Sequence, residues 1–411
     1  MRFHCADFRF QLSQCLLERG HRVVVVTHSY GDRVGVRYLT NFLKVFYLPI
    51  VPFYNKSVLP TVLCSLPYLR HILLTEKVTL VHGHSAFSSL AHEALMIASL
   101  LDIPTVFTDH SLFGFSDASA VVTNTFLKFS LANTTHTICV SHTGKENTVL
   151  RTSVPPEMVS VIPNAVDSVV FRPGKQERSP KVVTVVIGSR LVYRKGIDLV
   201  VDVIPPICGK RFGQTSEVRI DFLVAGDGPK RILLEEMVER HGLQGRVVML
   251  GELQHSQVRD QLLVKGEIFL NCSLTEAFCM AILEAASCGL AVVSTAVGGI
   301  PEVLPEKFIY FVEPTVDSIV VGLERAIRDV VGGVRPDPWQ CNSFVSHAYN
   351  WRRVAERTEA VYAQVAAKSM VPLRRRVRRL WEAGRVAGPV MACVYLLCHY
   401  FILFLAWLRP L

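Results

Sequence analysis

Residues Ser273 to Leu290 read S-L-T-E-A-F-C-M-A-I-L-E-A-A-S-C-G-L. The run follows an apolar strand, Glu267 to Asn271. Thr275 stands at a helix N-cap position, Ala277 to Ser287 is rich in helix formers, and Gly289 is the expected stop. The pattern predicts a strand–loop–helix unit with Glu276 at the helix mouth and Glu284 two turns on. Along such a helix the two carboxylates fall roughly 80° apart around the axis and about 12 Å apart along it. Both then look out of one side. The mouth adds free backbone N–H groups and a positive dipole end, which suit a phosphate. A ligand with a sugar at one end, a diphosphate in the middle and a ribose at the other fits this layout. A surface helix with two solvated glutamates has the same local sequence, so the decision comes from the surroundings.

Those surroundings alternate strand and helix. Before the stretch come a strand at Val182 to Ile187, a loop at 188–196 and a helix from Ile197 to Ile204. The strand Arg219 to Ala225, the helix Lys230 to His241, the strand Val247 to Leu250 and the helix Gln257 to Val264 follow. The strand Ala291 to Ser294 lies after it. The first 165 residues repeat the theme. Helices are predicted at Gln11–Arg19, Ser65–Thr75, Ser88–Leu100, Phe126–Ala132 and Thr143–Arg151. The strands are Arg22–Thr27, Leu43–Leu48, Val78–His82, Thr105–Thr108, Thr137–Val140 and Val159–Ile162. This predicts an α/β fold of parallel sheets covered on both faces. At 411 residues the chain exceeds one compact core, so two doubly wound domains are expected, 1–165 and 166–350. Asn164 to Pro180 is the linker, and 351–370 is a closing amphipathic segment. Ligands bind outside the carboxyl ends of strands in such sheets.

The net charge of +9 is uneven. From Val371 onward there are seven arginines and one glutamate, which leaves only +3 for the rest. A general nucleic-acid footprint is therefore not supported. Val386 to Leu408 is 23 residues without a charge, long enough to cross a bilayer core of about 30 Å. Five arginines stand just before it, at 374–376, 378 and 379, which favours a membrane anchor over a buried core helix. Eleven cysteines show no C-x-x-C pairing or His/Cys ligand spacing, so reduced, buried thiols are expected and not a disulfide framework or zinc site. Met1 to Phe10 lacks the apolar core of a secretory signal.

Several short motifs are ambiguous alone. Arg190 and Lys195 sit on a glycine-flanked loop after a strand, where two cations can neutralise a diphosphate; a solvated basic loop reads the same. Gly226-Asp227-Gly228-Pro229 lets the backbone approach a ligand closely, or merely turns the chain. His110, after the strand Thr105–Thr108, can contact a sugar or polarise an oxygen, or simply end a strand. His82 and His84 with His110 could be taken as metal ligands, but no carboxylate spacing supports that.

Taken together, S-R-L-x-x-x-K-G at 189–196, G-x-G-P at 226–229, E-A-F-x5-E-A at 276–285 and G-G-I-P-E at 298–302 occur in the order found in retaining GT-B glycosyltransferases of family 4, which this chain resembles. V-F-T-D-H-S-L-F-G-F at 106–115 and V-S-V-I-P-N-A-V-D at 159–167 sharpen the resemblance. It implies transfer of N-acetylglucosamine from UDP-GlcNAc to the inositol of phosphatidylinositol with retention, the first step of GPI-anchor biosynthesis. It implies no metal and no other cofactor, UDP-GlcNAc being a substrate. It also implies a single-pass protein of the endoplasmic reticulum membrane with cytosolic catalytic domains and other membrane subunits as partners. By analogy Arg190 and Lys195 hold the diphosphate, with Gly226 and the amides of Ala277, Phe278 and Cys279 beside it. Glu284 takes the ribose hydroxyls, Glu276 sits by the donor sugar, and His110 acts from the opposite domain, so His110 and Glu276 are the expected catalytic pair. A related transferase with another lipid acceptor, or a silent isoform that binds the partner subunits, are the rival readings. The family carries a strand and a Gly-Gly loop ahead of the helix that starts here at Gln11. Met1 to Phe10 contains neither, so slow transfer with intact UDP binding is the expectation for the chain as written.

Overall fold

The computed structural model describes residues 4–52, 58–112, 118–174, 181–210, 218–334 and 337–409. Two compact units emerge: Phe8–Pro163 with Arg352–Leu411, and Asn164–Trp351 with the first seven residues.

In chain order the first unit contains α1 (His4–Glu18), β1 (Val24–His28), β2 (Gly35–Tyr38), β3 (Lys44–Leu48), α2 (Leu66–Thr75), β4 (Val81–His84), α3 (Ser89–Leu100), β5 (Thr105–Asp109), α4 (Ala118–Ala132), β6 (His136–Cys139), α5 (His142–Thr152) and β7 (Val159–Val161). β4, β5, β6 and β7 form a parallel sheet in sequence order, while β1, β3 and β2 form a second sheet in which β2 runs antiparallel. β2 is absent from the sequence expectations because all four of its residues are exposed. It shows no alternation of buried and exposed positions. α1 begins well before the predicted Gln11. Gln14 on it is buried, donating to the Thr40 carbonyl at 3.1 Å and accepting from Asn41 at 2.8 Å.

β5 is buried along its whole length. It ends on Asp109, whose carboxylate meets the Arg151 guanidinium at 2.6 Å, both side chains having at most 1% exposure. Thr148 donates to the same oxygen at 3.2 Å. α5 is thereby tied to the carboxyl end of β5. The Ser141 hydroxyl caps α5 by accepting from the Gly144 N–H. A second buried carboxylate, Glu93 on α3, accepts from the backbone N–H groups of Thr61 and Val62 and from the Ser65 hydroxyl. It pins the segment before α2.

The second unit contains β8 (Val182–Gly188), α6 (Ile197–Gly209), β9 (Arg219–Ala225), α7 (Arg231–Arg240), β10 (Val247–Gly251), α8 (His255–Gln261), β11 (Ile268–Asn271), α9 (Met280–Ser287), β12 (Ala291–Thr295), β13 (Ile309–Val312), α10 (Val316–Val331) and α11 (Pro338–Ala348). Its six strands are all parallel in the order β10-β9-β8-β11-β12-β13. Near-continuous apolar runs such as Val182–Ile187 and Ile268–Leu270 build the core, as burial on both faces demands. β13, α10 and α11 extend the alternation beyond the predicted elements. The order reverses between β8 and β11, so the chain leaves their carboxyl ends in opposite directions and opens a crevice there.

The chain then returns to the first unit as α12 (Trp351–Ala366), α13 (Leu373–Glu382) and α14 (Ala387–Leu408). Glu359 on α12 accepts from Arg19 at 2.7 Å and pairs with His21 at 2.8 Å. The predicted arginine cluster forms α13. On α14 the stripe Ala392, Tyr395, Cys398 and Ile402 is buried with Leu66, Leu69 and Leu73 of α2 and Ile97 of α3. The Tyr395 hydroxyl meets that of Ser99 at 2.8 Å. Val390, Leu397, Tyr400, Phe404 and Trp407 face outward and stay exposed.

Breaking a buried ion pair by removing one partner strands a charge and costs about 3–5 kcal/mol. Arg151→Met should therefore lower the melting temperature of the first unit markedly, whereas the exposed Arg378–Glu382 pair should be removable without a measurable shift. Equal melting curves for the two variants would show that the Asp109–Arg151 pair does not hold β5 to α5.

Candidate functional site

The crevice at the carboxyl ends of β8 and β11 gathers the residues singled out in the second half of the sequence. The loop after β8 winds through a short 3-10 turn, Tyr193–Lys195, and enters α6 at Gly196. Gly196 has φ +66°, and a Cβ there would lie 1.8 Å from the Cys272 carbonyl oxygen. Only glycine lets this loop press against the strand end. The Leu274 N–H donates to the Arg194 carbonyl at 2.9 Å, which clamps the same contact from the other side. Gly226 does the equivalent job after β9: its φ is +140°, and a Cβ would meet the Ser189 carbonyl at 1.8 Å.

This packing delivers Lys195 to Glu276, whose carboxylate it contacts directly. Ser273 donates to the same carboxylate at 2.9 Å, and the Gly299 N–H holds the Glu276 carbonyl at 2.9 Å. Burial by itself would lower the Lys195 pKa. The Glu276 carboxylate outweighs it, and the ammonium is held above its usual range. The side chains remain 21% and 14% exposed, so a ligand can reach the pair. Arg190 lies within electrostatic reach of Lys195, is exposed, and makes no ion pair among the described residues.

One expectation is corrected here. The helix starts at Met280, with Cys279 as N-cap, and not at Ala277 after a Thr275 cap. Residues 275–279 are extended or bent, because Ala277, Phe278 and Cys279 are buried and the Glu276 carbonyl is spent on Gly299. Glu276 is thus a loop residue ahead of the helix, and its relation to Glu284 is not that of two positions on one helix face. The Cys279 thiol is pushed up to about 12 by burial and then by Glu276, and burial does the same to Cys272. Neither is a thiolate nucleophile at neutral pH.

Glu284 sits on α9 with 1% of its side chain exposed. His255, at the start of α8, meets one of its oxygens at 2.9 Å. Its other oxygen, Oε2, has no partner among the described residues. Sequence reasoning did not single out His255. The pairing depends on β10 and β11 delivering two remote loops to one place, and no spacing in the sequence records it.

In the first unit, His82, His84 and His110 stand together at the carboxyl ends of β4 and β5. The rings of His82 and His84 stack at 4.2 Å, those of His84 and His110 at 5.6 Å, and His84 Nδ1 is 3.4 Å from His110 Nε2. His82 is saturated by Tyr362 at 2.6 Å and Thr108 at 2.7 Å. It braces the row, and all three histidines are half-buried. No group of three His, Cys, Asp or Glu side chains among the described residues is arranged to hold a metal ion.

Comparison with known proteins gives a consistent picture. Residues 28–117 match the family profile described as PIGA (GPI anchor biosynthesis), and 170–333 match that of glycosyl transferases group 1. A Homo sapiens protein named as a subunit of phosphatidylinositol N-acetylglucosaminyltransferase is 53% identical over 98% of this chain and 81% of its own length. The Arabidopsis thaliana protein of the same name is 49% identical over 98% of this chain and 88% of its own. Among solved structures, the sucrose-phosphate synthase of Thermosynechococcus elongatus superposes with a TM-score of 0.71 at 19% identity, covering 88% of this chain and 93% of that one. Anabaena HepE in complex with UDP superposes at 0.58 and 18% identity, covering 72% and 82%. These two likenesses show the GT-B fold.

Acid should act first on the histidines of the first unit. Burial, then His110, lowers His82 to about 3, and burial, then two lysines, lowers His136 to about 4. Unfolded imidazoles titrate near 6.5, so between that pH and 3–4 the unfolded chain binds more protons. Stability is fully present above pH 6.5 and falls as the pH drops, by up to about 1.4 kcal/mol per pH unit for each histidine. Melting temperatures measured from pH 7 to pH 4.5 should fall less steeply for His82→Gln than for the parent. A parallel slope would show that His82 is protonated as easily in the fold as outside it.

Proposed function

The chain belongs to the PIGA family of phosphatidylinositol N-acetylglucosaminyltransferase subunits, glycosyltransferases of GPI-anchor biosynthesis, and we propose how its residues carry that reaction. It moves N-acetylglucosamine to phosphatidylinositol, the first step of GPI-anchor biosynthesis, with UDP-GlcNAc as donor. The observation that carries the assignment of roles is Glu284: a buried carboxylate with one oxygen braced by His255 and the other unpartnered among the described residues. A carboxylate so placed needs a donor, and ribose hydroxyls supply two.

In this reading the uridine diphosphate lies along the crevice of the second unit. Glu284 binds the ribose, and the backbone N–H groups of Ala277, Phe278 and Cys279 and the close approach at Gly226 serve the diphosphate. Lys195 exchanges part of its contact with Glu276 for the phosphate, and Arg190 adds the second cation. As the bond from the anomeric carbon to the diphosphate oxygen breaks, negative charge grows on that oxygen. Both cations are already in place to meet it. Glu276, released on one side, faces the sugar. The inositol hydroxyl attacks from the face the diphosphate leaves, its proton passing to the departing phosphate oxygen, so the α linkage is retained. His110, at the carboxyl end of β5, keeps the catalytic role that the family pattern gives it. Cations and amides carry the charge in this scheme, so it calls on no metal.

α14 is long and apolar enough to cross a membrane, and the relatives are named as subunits of a transferase. We place the chain as a single-pass protein of the endoplasmic reticulum with its catalytic units in the cytosol, the arginines of α13 staying on that side, and with other membrane subunits as partners. Docking of Ala392 to Ile402 on α2 and α3 then brings that side of the first unit to the bilayer. Exposed Leu59, Leu63 and Tyr68 there suit a headgroup layer.

Glu284→Ala should weaken UDP binding about tenfold to hundredfold in calorimetry, the loss of hydrogen bonds to a charged group, with the melting temperature little changed. Unchanged affinity in the folded variant would remove the ribose role. Membranes lacking the endogenous protein, supplied with this chain, labelled UDP-GlcNAc and phosphatidylinositol, test turnover directly. A tag ahead of Met1 should be cut by protease added outside sealed microsomes; protection of the tag would reverse the orientation.

A further inference from the structure

A cavity lies within the first unit, away from the histidine row, where α3, α4, α13 and α14 meet. Its empty volume, open mouth included, is about 620 Å³. Leu95, Met96, Phe129, Leu380, Met391 and Val394 give it an apolar wall. Two polar side chains in that wall, His92 and Asn133, are incompletely used. His92 Nε2 lies 3.0 Å from the Ala86 carbonyl, so that nitrogen carries the proton. Burial lowers the pKa of the ring and keeps it neutral. Its Nδ1 is then a lone-pair acceptor, buried and without a partner among the described residues. Asn133 donates its amide to the Arg376 carbonyl at 3.2 Å and leaves Oδ1 buried and unpartnered among the described residues.

The two orphan groups in the wall are both acceptors. Buried acceptors are nearly always satisfied, and leaving one unmet costs about 1–3 kcal/mol. The missing piece therefore carries an O–H or N–H, while the rest of it matches hydrocarbon. One wall of the cavity is α14 itself, the apolar helix whose opposite face is exposed. Arg376 also buries Nε and Nη1 without partners among the described residues, but it does not line the cavity; its Nη2 holds Asp102 at 2.6 Å.

We propose that this cavity binds the hydrocarbon chain of a single-chain membrane amphiphile bearing a hydroxyl. The chain lies along Phe129, Met391 and Val394, and the hydroxyl donates to His92 Nδ1 or Asn133 Oδ1. Occupancy fastens α14 to α3 and α4. The proposal rests on the reading of α14 as a membrane element, but its chemistry can be tested apart from it.

The test uses the full chain in detergent micelles with three photoactivatable diazirine probes of equal length: an 18-carbon alcohol, its methyl ether and the matching carboxylate. The alcohol should label residues of α3, α4 and the first half of α14, with competition by unlabelled alcohol. The ether, which cannot donate, should label about tenfold less. Met96→Trp and Val394→Trp, which fill the cavity, should abolish labelling while UDP binding and melting temperature stay as in the parent. His92→Phe should bring the alcohol down toward the level of the ether, and it decides the matter if neither tryptophan variant folds. Equal labelling by alcohol and ether overturns the proposal, as does preference for the carboxylate, labelling confined to Leu397, Leu403 and Trp407, or labelling that survives both folded tryptophan variants. Stronger labelling by a diazirine phosphatidylinositol than by the alcohol would make the cavity part of the acceptor's path and also overturns it. Sedimentation with vesicles is scored separately. A chain that labels as expected yet binds no vesicles removes the membrane reading and leaves the cavity's ligand chemistry standing.

Discussion

A parallel sheet that reverses its strand order leaves one crevice that it cannot fill from its own backbone, and the second unit is organised around that gap. The loops leaving β8 and β11 diverge there. They are held by contacts that glycine permits, at Gly196 and Gly226, by backbone hydrogen bonds and by the Lys195–Glu276 contact. Glu284 is driven into this place with one oxygen satisfied and one without a partner among the described residues. The crevice is thus rigid in its walls and incomplete in its polar groups, the combination that a ligand-binding site requires.

The two units use the same pair of chemical groups for different ends. Asp109–Arg151 and Lys195–Glu276 both join a cation to a carboxylate beside the carboxyl end of a strand. The first is sealed, with further hydrogen bonds to the carboxylate from Thr148 and the Ser111 N–H. It has no access to a ligand and acts as a fastener. The second keeps a fifth of the lysine side chain in contact with solvent, so an incoming phosphate can compete for the ammonium. Exposure, more than chemistry, separates a structural ion pair from one that takes part in binding.

The same distinction explains what the sequence made legible. Arg190, Lys195, Glu276 and Glu284 were visible because glycines and strand ends bracket them, and those local signals reflect the backbone geometry found in the fold. The start of α9 was misread because Ala277 and Phe278 favour helix locally. Burial of Phe278 and the hydrogen bond from Gly299 to the Glu276 carbonyl pull the segment straight. His255 had no local signal, since its pairing with Glu284 exists only once β10 and β11 are assembled. β2 escaped for the opposite reason: it is an exposed edge strand whose register comes from β3 alone. The Asp109–Arg151 pair was likewise unreadable, joining residues from a strand end and the far end of a later helix.

The C-terminal helix carries the remaining argument. A helix that merely anchors a soluble enzyme needs no contact with it, and its residues can all face lipid. α14 instead buries a stripe from Ala392 to Ile402 on α2 and α3 and places the Tyr395 hydroxyl on Ser99. Gly388 lies so close to the end of α13 that a Cβ would come within 2.4 Å of the Trp381 carbonyl, which fixes the angle between the arginine-rich helix and the apolar one. Movement of α14 therefore disturbs α3, and α3 carries the buried Glu93 and His92 and packs on β4, whose end bears His82 and His84. The apolar C-terminal helix and the strand that bears His82 and His84 pack against the same α3, so the position of α14 bears on the geometry at the carboxyl ends of β4 and β5.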